Sequence, residues 1–191
     1  IGRSFEEVIQ KACRMVNPSL DGLDGVDSSL VPQDVYLSRE KLEQAMRTPT
    51  DTRLFAVMCA FEQGYTIDRI HDCTKIDKWF LSKLGNIASM RKATMEINNA
   101  SQLKSEHMLT LKRHGFSDSQ LARYIYNDSN AALTVRKIRK DFGIVPVTKQ
   151  IDTLAAEFPA QTNYLYCTYN GTENDVSIES TSSSISRRPR S

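Results

Sequence analysis

The stretch Thr74-Lys75-Ile76-Asp77-Lys78-Trp79-Phe80-Leu81 decides the fold class. Thr74 and Asp77 have the spacing of a capping box, in which two polar side chains three residues apart satisfy the first free amides of a helix. The apolar residues that follow, through Leu84, recur at intervals of three or four, which is helical periodicity. These residues predict the start of a long helix whose Trp79 and Phe80 lie in the densest part of the core.

The segment before this helix predicts two more. From Thr50 an apolar stripe runs to Gly64, which is placed to end a helix because glycine adopts a left-handed backbone conformation without steric cost. Thr66 is then the N-cap of a short helix. The stripe consists of Leu54, Val57, Met58 and Phe61.

The same plan recurs further along the chain. Gly115-Phe116-Ser117 matches Gly64-Tyr65-Thr66: each has a helix-ending glycine, an aromatic residue and an N-cap residue. Ser117 with Gln120 forms a capping box, and the apolar periodicity that follows ends at Gly143. The chain is therefore predicted to be mainly α, a small bundle of helical hairpins with a weak internal repeat.

The two ends of the chain have a different character. Ser4 with Glu7 predicts a capped amphipathic helix that ends near residue 17. Residues 162–169 are rich in aromatic and β-branched types and predict a C-terminal strand-like tail, which would need a partner domain to pair with. We divide the chain into a remnant helix at 1–17, a linker at 18–36, a helical domain at 37–150, a lead into another domain at 151–175 and a disordered, serine-rich tail at 176–191.

Composition excludes several functional classes. The 191 residues are 40% hydrophobic and 25% charged, with a formal net charge of +2, so charge alone indicates neither a nucleic acid nor a membrane as partner. The first residues carry no apolar signal segment, and we expect the chain to be a piece of a longer protein. The four cysteines are too far apart in sequence to predict a zinc site: Cys13, Cys59, Cys73 and Cys167.

Residues capable of chemistry are few. No glycine-rich phosphate-binding motif occurs in the sequence. His71-Asp72-Cys73 brings a base, an acid and a nucleophile together in sequence, but adjacent helical residues point in different directions, so a buried thiol beside a surface histidine is the better interpretation. His107 and His114 lack a third ligand for a metal. Asp152 and Glu157 are interpreted as capping or ion-pairing carboxylates.

A nucleic-acid-binding module is the alternative interpretation. Residues 117–142 have the pattern of a helix-turn-helix, and its second helix carries four basic residues outside the apolar stripe. Such residues could reach phosphates and base edges, although a charged outer helix face is usually only solvated. They are Arg136, Lys137, Arg139 and Lys140.

Four stretches in this order resemble the large chain of carbamoyl-phosphate synthases, above all the animal multifunctional forms of the pyrimidine pathway. The resemblance covers roughly residues 1–175. The stretches are Ile1-Gly2-Arg3-Ser4-Phe5-Glu6-Glu7, Thr74-Lys75-Ile76-Asp77-Lys78-Trp79-Phe80-Leu81, Gly115-Phe116-Ser117-Asp118, and Lys149-Gln150-Ile151-Asp152-Thr153-Leu154-Ala155-Ala156-Glu157-Phe158-Pro159 with Thr162-Asn163-Tyr164-Leu165-Tyr166.

The resemblance implies an oligomerisation domain between two ATP-grasp halves that make carbamoyl phosphate from bicarbonate, ammonia (often from glutamine) and two ATP. It implies no catalytic, cofactor or metal residue here, since ATP and magnesium bind in those halves of the parent enzyme. The implied partners are the two halves and a second copy of the chain, and the implied location is the cytoplasm or alternatively mitochondria. Residues 180–191 depart from the family pattern. The candidates for core or interface positions are Trp79, Phe80, Asp77, Asp152, Glu157, Phe158, Tyr164 and Tyr166.

Overall fold

The computed structural model describes residues 1–25, 30–97, 102–155, 157–158 and 164–176. It divides the chain into two compact units, residues 1–145 and a second that begins at Pro146. Most of the tail predicted at 176–191 lies outside the described residues. In the described part of the chain the helices are α1 (Phe5–Val16), α2 (Gln33–Leu37), α3 (Arg39–Arg47), α4 (Arg53–Glu62), α5 (Ile67–Thr74), α6 (Lys78–Met95), α7 (Ser105–Arg113), α8 (Asp118–Tyr126) and α9 (Ala132–Asp141), and the strands are β1 (Val147–Gln150) and β2 (Leu165–Thr168).

Most helix starts lie where the sequence predicts them. The hydroxyls of Ser4 and Thr66 accept hydrogen bonds from the amides of Glu7 and Arg69, as N-caps do. At Ser117 the complete capping box forms, with Gln120 bonding back to the Ser117 amide at 3.1 Å. These contacts are local in sequence, which is why pattern alone predicts them.

The start of the long helix is the exception. The predicted capping box of Thr74 and Asp77 does not form, because Thr74 is the last residue of α5 and its hydroxyl donates to the Ile70 carbonyl at 2.8 Å. Asp77 is itself the N-cap of α6, and its carboxylate accepts from the Trp79 amide at 2.8 Å. The left-handed residue Lys75 separates the two helices.

Three glycines end helices in the left-handed conformation. Gly64, Gly115 and Gly143 have φ values of 80°, 86° and 70°. After the first two, the amides of Tyr65 and Phe116 donate back to the carbonyls of Ala60 and Leu111, at 3.0 and 3.2 Å. The repeat seen in the sequence is therefore a repeat of turn geometry.

The core of the first unit is apolar and continuous across its helices. The hairpins α3–α4, α5–α6 and α8–α9 pack on one another through residues that are almost completely buried. The largest almost completely buried side chains of this core, to which α7, the turn after it and Leu23 also contribute, are Phe116, Leu23, Leu42, Met46, Met58, Ile70, Leu81, Leu84, Ile87, Met108, Leu111 and Leu121.

Part of the segment predicted as a linker at 18–36 packs into this core. Leu23 is fully buried, and Val31 is 6% exposed. A Cβ on Gly22 or Gly25 would lie only 2.3 Å from the side-chain end of Gln120 or Glu62, respectively, so a larger residue would have to displace these side chains. We call residues 21–25 the strap.

The second unit contains an antiparallel pair of strands. The strand-like tail is confirmed at Leu165–Thr168, but the expectation that it needs another domain is wrong, because it pairs with β1 of the same chain. Val147 lies opposite Thr168, and Gln150 lies opposite Leu165. Val147–Gln150 was not predicted as a strand because four residues carry too little periodicity.

Candidate docking surface

Three aromatic rings meet at the surface of the first unit. Phe5 of α1 contacts Trp79 and Phe80 of α6, with centroid distances of 5.8 and 5.3 Å, and the latter two rings are 4.9 Å apart. Lys83 Nζ lies 5.5 Å from the centroid of the Trp79 ring. Edge-to-face packing of this kind stabilises the rings relative to one another. We call Phe5, Trp79 and Phe80 the aromatic cluster.

The prediction that Trp79 and Phe80 fill the densest part of the core is wrong. Trp79 is 53% exposed and Phe80 is 44% exposed. The inward positions of α6 begin with Leu81, which is fully buried. Both aromatic residues precede it in the first turn of the helix. Their large exposed rings are instead typical of an interaction site.

Helix α1 extends this apolar surface. It is amphipathic as predicted, but its charged and amide residues face the bundle and its apolar residues face outward. Met15 and Val16 are 84% and 85% exposed, whereas Glu7 and Gln10 are 1% and 0% exposed. The outer face of α1 consists of Val8, Ala12, Met15 and Val16. The inner face of α1 consists of Glu6, Glu7, Gln10 and Cys13.

Phe5 joins the outer face of α1 to the aromatic cluster, since Val8 follows it by three positions on the same helix. Together they form one candidate docking surface. A stably folded helix normally turns its apolar stripe towards the core. The reversed orientation of α1 therefore indicates that this stripe has another contact to make.

Polar contacts hold the inner face of α1 against the bundle. Glu6 Oε1 accepts a hydrogen bond from Asn86 Nδ2 at 3.0 Å and lies 3.7 Å from Lys83 Nζ. Burial would raise the pKa of Glu6, but the hydrogen bond from Asn86 and the positive charge of Lys83 hold it below its ordinary value. The carboxylate is therefore ionised at neutral pH.

A buried polar clasp anchors the strap, and sequence reasoning missed it. Asp24 is 2% exposed; its carboxylate accepts hydrogen bonds from Arg123 NH2 at 2.7 Å and from the Tyr124 hydroxyl. Arg91 Nε lies 3.6 Å from the same carboxylate, and its NH1 lies 2.8 Å from Glu62 Oε1. Burial, followed by the charge of Asp24, raises the pKa of Tyr124 well above its ordinary value. Gly22 and Gly25, which flank Leu23-Asp24, are the one sequence signal that could have indicated this clasp.

The residues that the sequence analysis considered for catalysis or metal binding make structural contacts instead. His71 Nδ1 donates to the Ile76 carbonyl at 2.7 Å, across the turn between α5 and α6, and Cys73 is 7% exposed. His114 Nδ1 lies 2.8 Å from the Thr110 carbonyl of its own helix. Within the described ranges no group of three or more histidine, cysteine or acidic residues is arranged to hold a metal.

A family model described as the oligomerisation domain of the carbamoyl-phosphate synthetase large chain matches residues 1–143. The chain belongs to this family. The match begins with α1 and ends two residues before the end of the first compact unit, at Val145. The inner face, the clasp and the docking surface all lie within it.

Relatives in the family differ in their overall organisation. The chain is 49% identical over 179 residues to a multifunctional protein pyr1-3 of Dictyostelium discoideum, and 47% identical over 176 residues to the multifunctional protein CAD of Squalus acanthias. These matches cover 93% and 92% of this chain but 7% of each relative. A mitochondrial, arginine-specific carbamoyl phosphate synthase large chain of Neurospora crassa is 45% identical over 180 residues, 94% of this chain and 14% of the relative. The chain thus spans a small part of the proteins it resembles.

One of the four basic residues on which the helix-turn-helix interpretation depends, Arg139, is buried in the structure. Arg139 is 6% exposed; its NH2 lies 3.0 Å from Asp118 Oδ2, and its NH1 donates to the Ile144 carbonyl at 2.8 Å. It closes the end of α9 and is not directed at a phosphate. Arg136, Lys137 and Lys140 are exposed on α9, but the family match gives no support to nucleic-acid binding.

The remaining site candidates lie in the second unit. Asp152 accepts a hydrogen bond from the Leu154 amide at 2.9 Å, and the Glu157 amide donates to the Leu154 carbonyl at 3.0 Å. Phe158 and Tyr164 are 68% and 66% exposed. Tyr166, which is partly buried, lies opposite Lys149 in the strand pair. Their role at an interface stays a prediction.

None of the helices in the described residues is both long and apolar enough to cross a membrane. The longest is α6, with 18 residues, and it carries polar and charged side chains along its length.

Proposed function

We propose that this chain is the non-catalytic connecting and oligomerisation segment of a carbamoyl-phosphate synthase. In this proposal the parent enzyme makes carbamoyl phosphate from bicarbonate, ammonia (often from glutamine) and two ATP, and the nucleotide and magnesium bind in its two ATP-grasp halves. The family match over residues 1–143 supports the proposal. The outward-facing apolar stripe of α1 is the observation that carries the proposal, because such a stripe is expected on a helix that contacts a second body.

The proposed partner of the docking surface is the first ATP-grasp half. The relatives carry more than four fifths of their length outside the part that this chain matches. That additional sequence can supply an apolar face large enough to cover α1 and the aromatic cluster. The outer face itself carries no charge, so we expect a dry, core-like contact with few ion pairs.

Binding to the separately produced halves tests this proposal. Met15→Glu places a charge on the outer face of α1 and should weaken binding to the first half by at least about tenfold, because a carboxylate would have to lose its water. Leu37→Glu is the matched control, since Leu37 is 72% exposed and lies on α2, outside the docking surface. Equal losses of affinity in both variants would contradict the proposal. Failure of the unsubstituted chain to bind the first half would also contradict it.

The non-catalytic role has its own test. The purified chain, incubated with ATP, magnesium, bicarbonate and ammonia, should release no phosphate above background and make no carbamoyl phosphate. Bicarbonate-dependent ATP hydrolysis that copurifies with the chain would overturn this part of the proposal.

The similarity to pyr1-3 and CAD supports the pyrimidine pathway as the parent's context, for which we propose a cytoplasmic location. The similarity to the mitochondrial large chain of Neurospora crassa supports a mitochondrial location as the alternative. Self-association of the isolated chain through its exposed apolar surface is also expected. Sedimentation at increasing concentration measures it, and a strictly monomeric species at all concentrations would contradict it.

A further inference from the structure

The contact between the inner face of α1 and the bundle is largely polar, and a polar contact can separate without unfolding of the apolar core. The inner face of α1 buries two carboxylates and an amide, and Cys13 is the one residue of that face that is not charged or amide-bearing. Separating such a face from the bundle exposes groups that water solvates well, so the hydrophobic cost is small. Val8, Ala12, Met15 and Val16 already face outward. Phe5 is the large apolar residue of α1 whose ring contacts with α6 would have to separate.

Directional polar contacts hold the inner face of α1, in addition to the ring contacts of Phe5 in the aromatic cluster. Gln10 Oε1 accepts from the Leu23 amide at 2.7 Å and from Gln120 Nε2 at 3.2 Å. Arg14 NH1 donates to the carbonyl of Gly115 at 3.0 Å. With the Glu6–Asn86 bond, these contacts tie α1 to the strap, α6, α8 and the turn after α7.

The strap has its own attachment, which does not pass through α1. Leu23 is fully buried, and Asp24 is bound by Arg123 and Tyr124 of α8. Between α1 and the strap lies a short turn, in which the Leu20 amide donates to the Asn17 carbonyl at 3.0 Å. The chain can therefore pivot at residues 17–20 while the strap stays anchored.

We propose that α1 is a releasable arm, which leaves the bundle as an intact helix by pivoting at residues 17–20 while the strap stays clasped. Local openings below the level of global unfolding occur where buried apolar contacts are few. The use of this arm to carry movement between the bundle and the first ATP-grasp half rests on the proposed function. The release itself is a property of this chain.

Thiol labelling of the native chain tests the release. Cys13 lies on the inner face of α1 and is 8% exposed, whereas Cys59 lies in α4 and is fully buried. Pulses of N-ethylmaleimide at increasing low urea concentrations, read by peptide mass spectrometry, give a rate for each thiol, which is divided by its rate in the unfolded chain. Cys13 should react at least about tenfold faster than Cys59 and depend less on urea, as expected for a sub-global opening.

Asn86→Ala changes a residue of α6 and removes the hydrogen bond that Asn86 donates to Glu6 on the inner face of α1. It should speed labelling of Cys13 by about threefold or more, as expected for loss of one hydrogen bond, and leave Cys59 unchanged. Asn130→Ala is the matched control, because Asn130 is also an exposed asparagine but lies beyond α8. It should change neither rate.

Equal rates and equal urea dependence for Cys13 and Cys59 would show that α1 unfolds only with the bundle and would overturn the proposal. An unchanged Cys13 rate in Asn86→Ala would also overturn it, since the opening would then not involve the inner face. These measurements use the chain alone, so their outcome is independent of whether the ATP-grasp half binds the docking surface.

Discussion

At the scale of single residues, Asp24 shows how a few polar side chains organise the first unit. Its carboxylate is almost completely removed from water, and the cost is offset by Arg123, Tyr124 and Arg91 around it. A charge buried in this way is stable only while its partners remain, because an unpaired buried ion is strongly unfavourable.

Asp24→Asn should therefore destabilise the chain by about 3 kcal/mol, because it removes the buried counter-charge that Arg91 and Arg123 share and leaves them with Glu62 and Asp21. Urea unfolding measures the change. Asp34→Asn is the control: Asp34 lies 2.6 Å from Lys41 Nζ, but both side chains are more than half exposed, and water screens such a surface pair so that its loss changes stability little. Similar losses in the two variants would contradict the role assigned to the clasp.

Lys112 is a second buried charge, and it makes stability depend on pH. Its Nζ donates to the Phe116 carbonyl at 2.6 Å and to Asp118 Oδ1 at 2.7 Å. Burial lowers the pKa of Lys112 to about 8, and the charge and hydrogen bond of Asp118 oppose this only in part. Between that value and the ordinary lysine pKa of about 10.4, the unfolded chain binds a proton that the folded chain has released.

Since the unfolded state binds more protons in this window, the contribution of Lys112 to stability increases as the pH rises from 8 towards 10, by roughly 2 kcal/mol. Urea unfolding at several pH values measures this. The variant Lys112→Met keeps the Arg139–Asp118 pair and should lack the increase. A parallel pH dependence in both proteins would show that Lys112 is not its source.

At the scale of elements, the two repeated turns differ in what surrounds their glycines. A Cβ on Gly64 would meet no atom within 4 Å, whereas a Cβ on Gly115 would lie 2.9 Å from Glu7 Cα. Both glycines have positive φ values, of 80° and 86°. The second turn therefore needs glycine for two reasons, its conformation and the backbone of α1 beside it.

Gly64→Ala should cost about 1 kcal/mol, the usual penalty for a left-handed alanine. Gly115→Ala should cost about 3 kcal/mol, because the same penalty is joined by a clash with backbone that can be relieved only by moving α1. Thermal or urea unfolding of the two variants gives the difference. Equal costs would mean that α1 does not approach this turn as closely as the structure shows.

Helix ends and helix faces differ in how far sequence predicts them. The caps at Thr66 and Ser117 and the glycine ends depend on neighbours within one turn, so their pattern predicted them correctly. At Asp77 the pattern placed the cap three residues early. Thr74 and Asp77, three residues apart, can each serve as a cap, and the α5–α6 turn decides between them.

At the scale of the whole molecule, the first unit combines an apolar core with a polar attachment of its first helix. The core follows from hydrophobic periodicity, which predicted the helical hairpins. The attachment of α1 joins residues far apart in the chain, such as Glu6 with Asn86 and Gln10 with Gln120. No local pattern encodes such pairs.

The sequence by itself determined the mainly helical class, the helix ends at glycine, the late strand and the resemblance to the synthase family, because each rests on local periodicity or contiguous motifs. Only the tertiary structure decided that α1 turns its apolar side outward, that Trp79 and Phe80 lie at the surface and that β2 pairs with β1. The physical reason is that an amphipathic pattern shows that a helix has two sides. Which side is buried depends on the partners that distant parts of the chain provide.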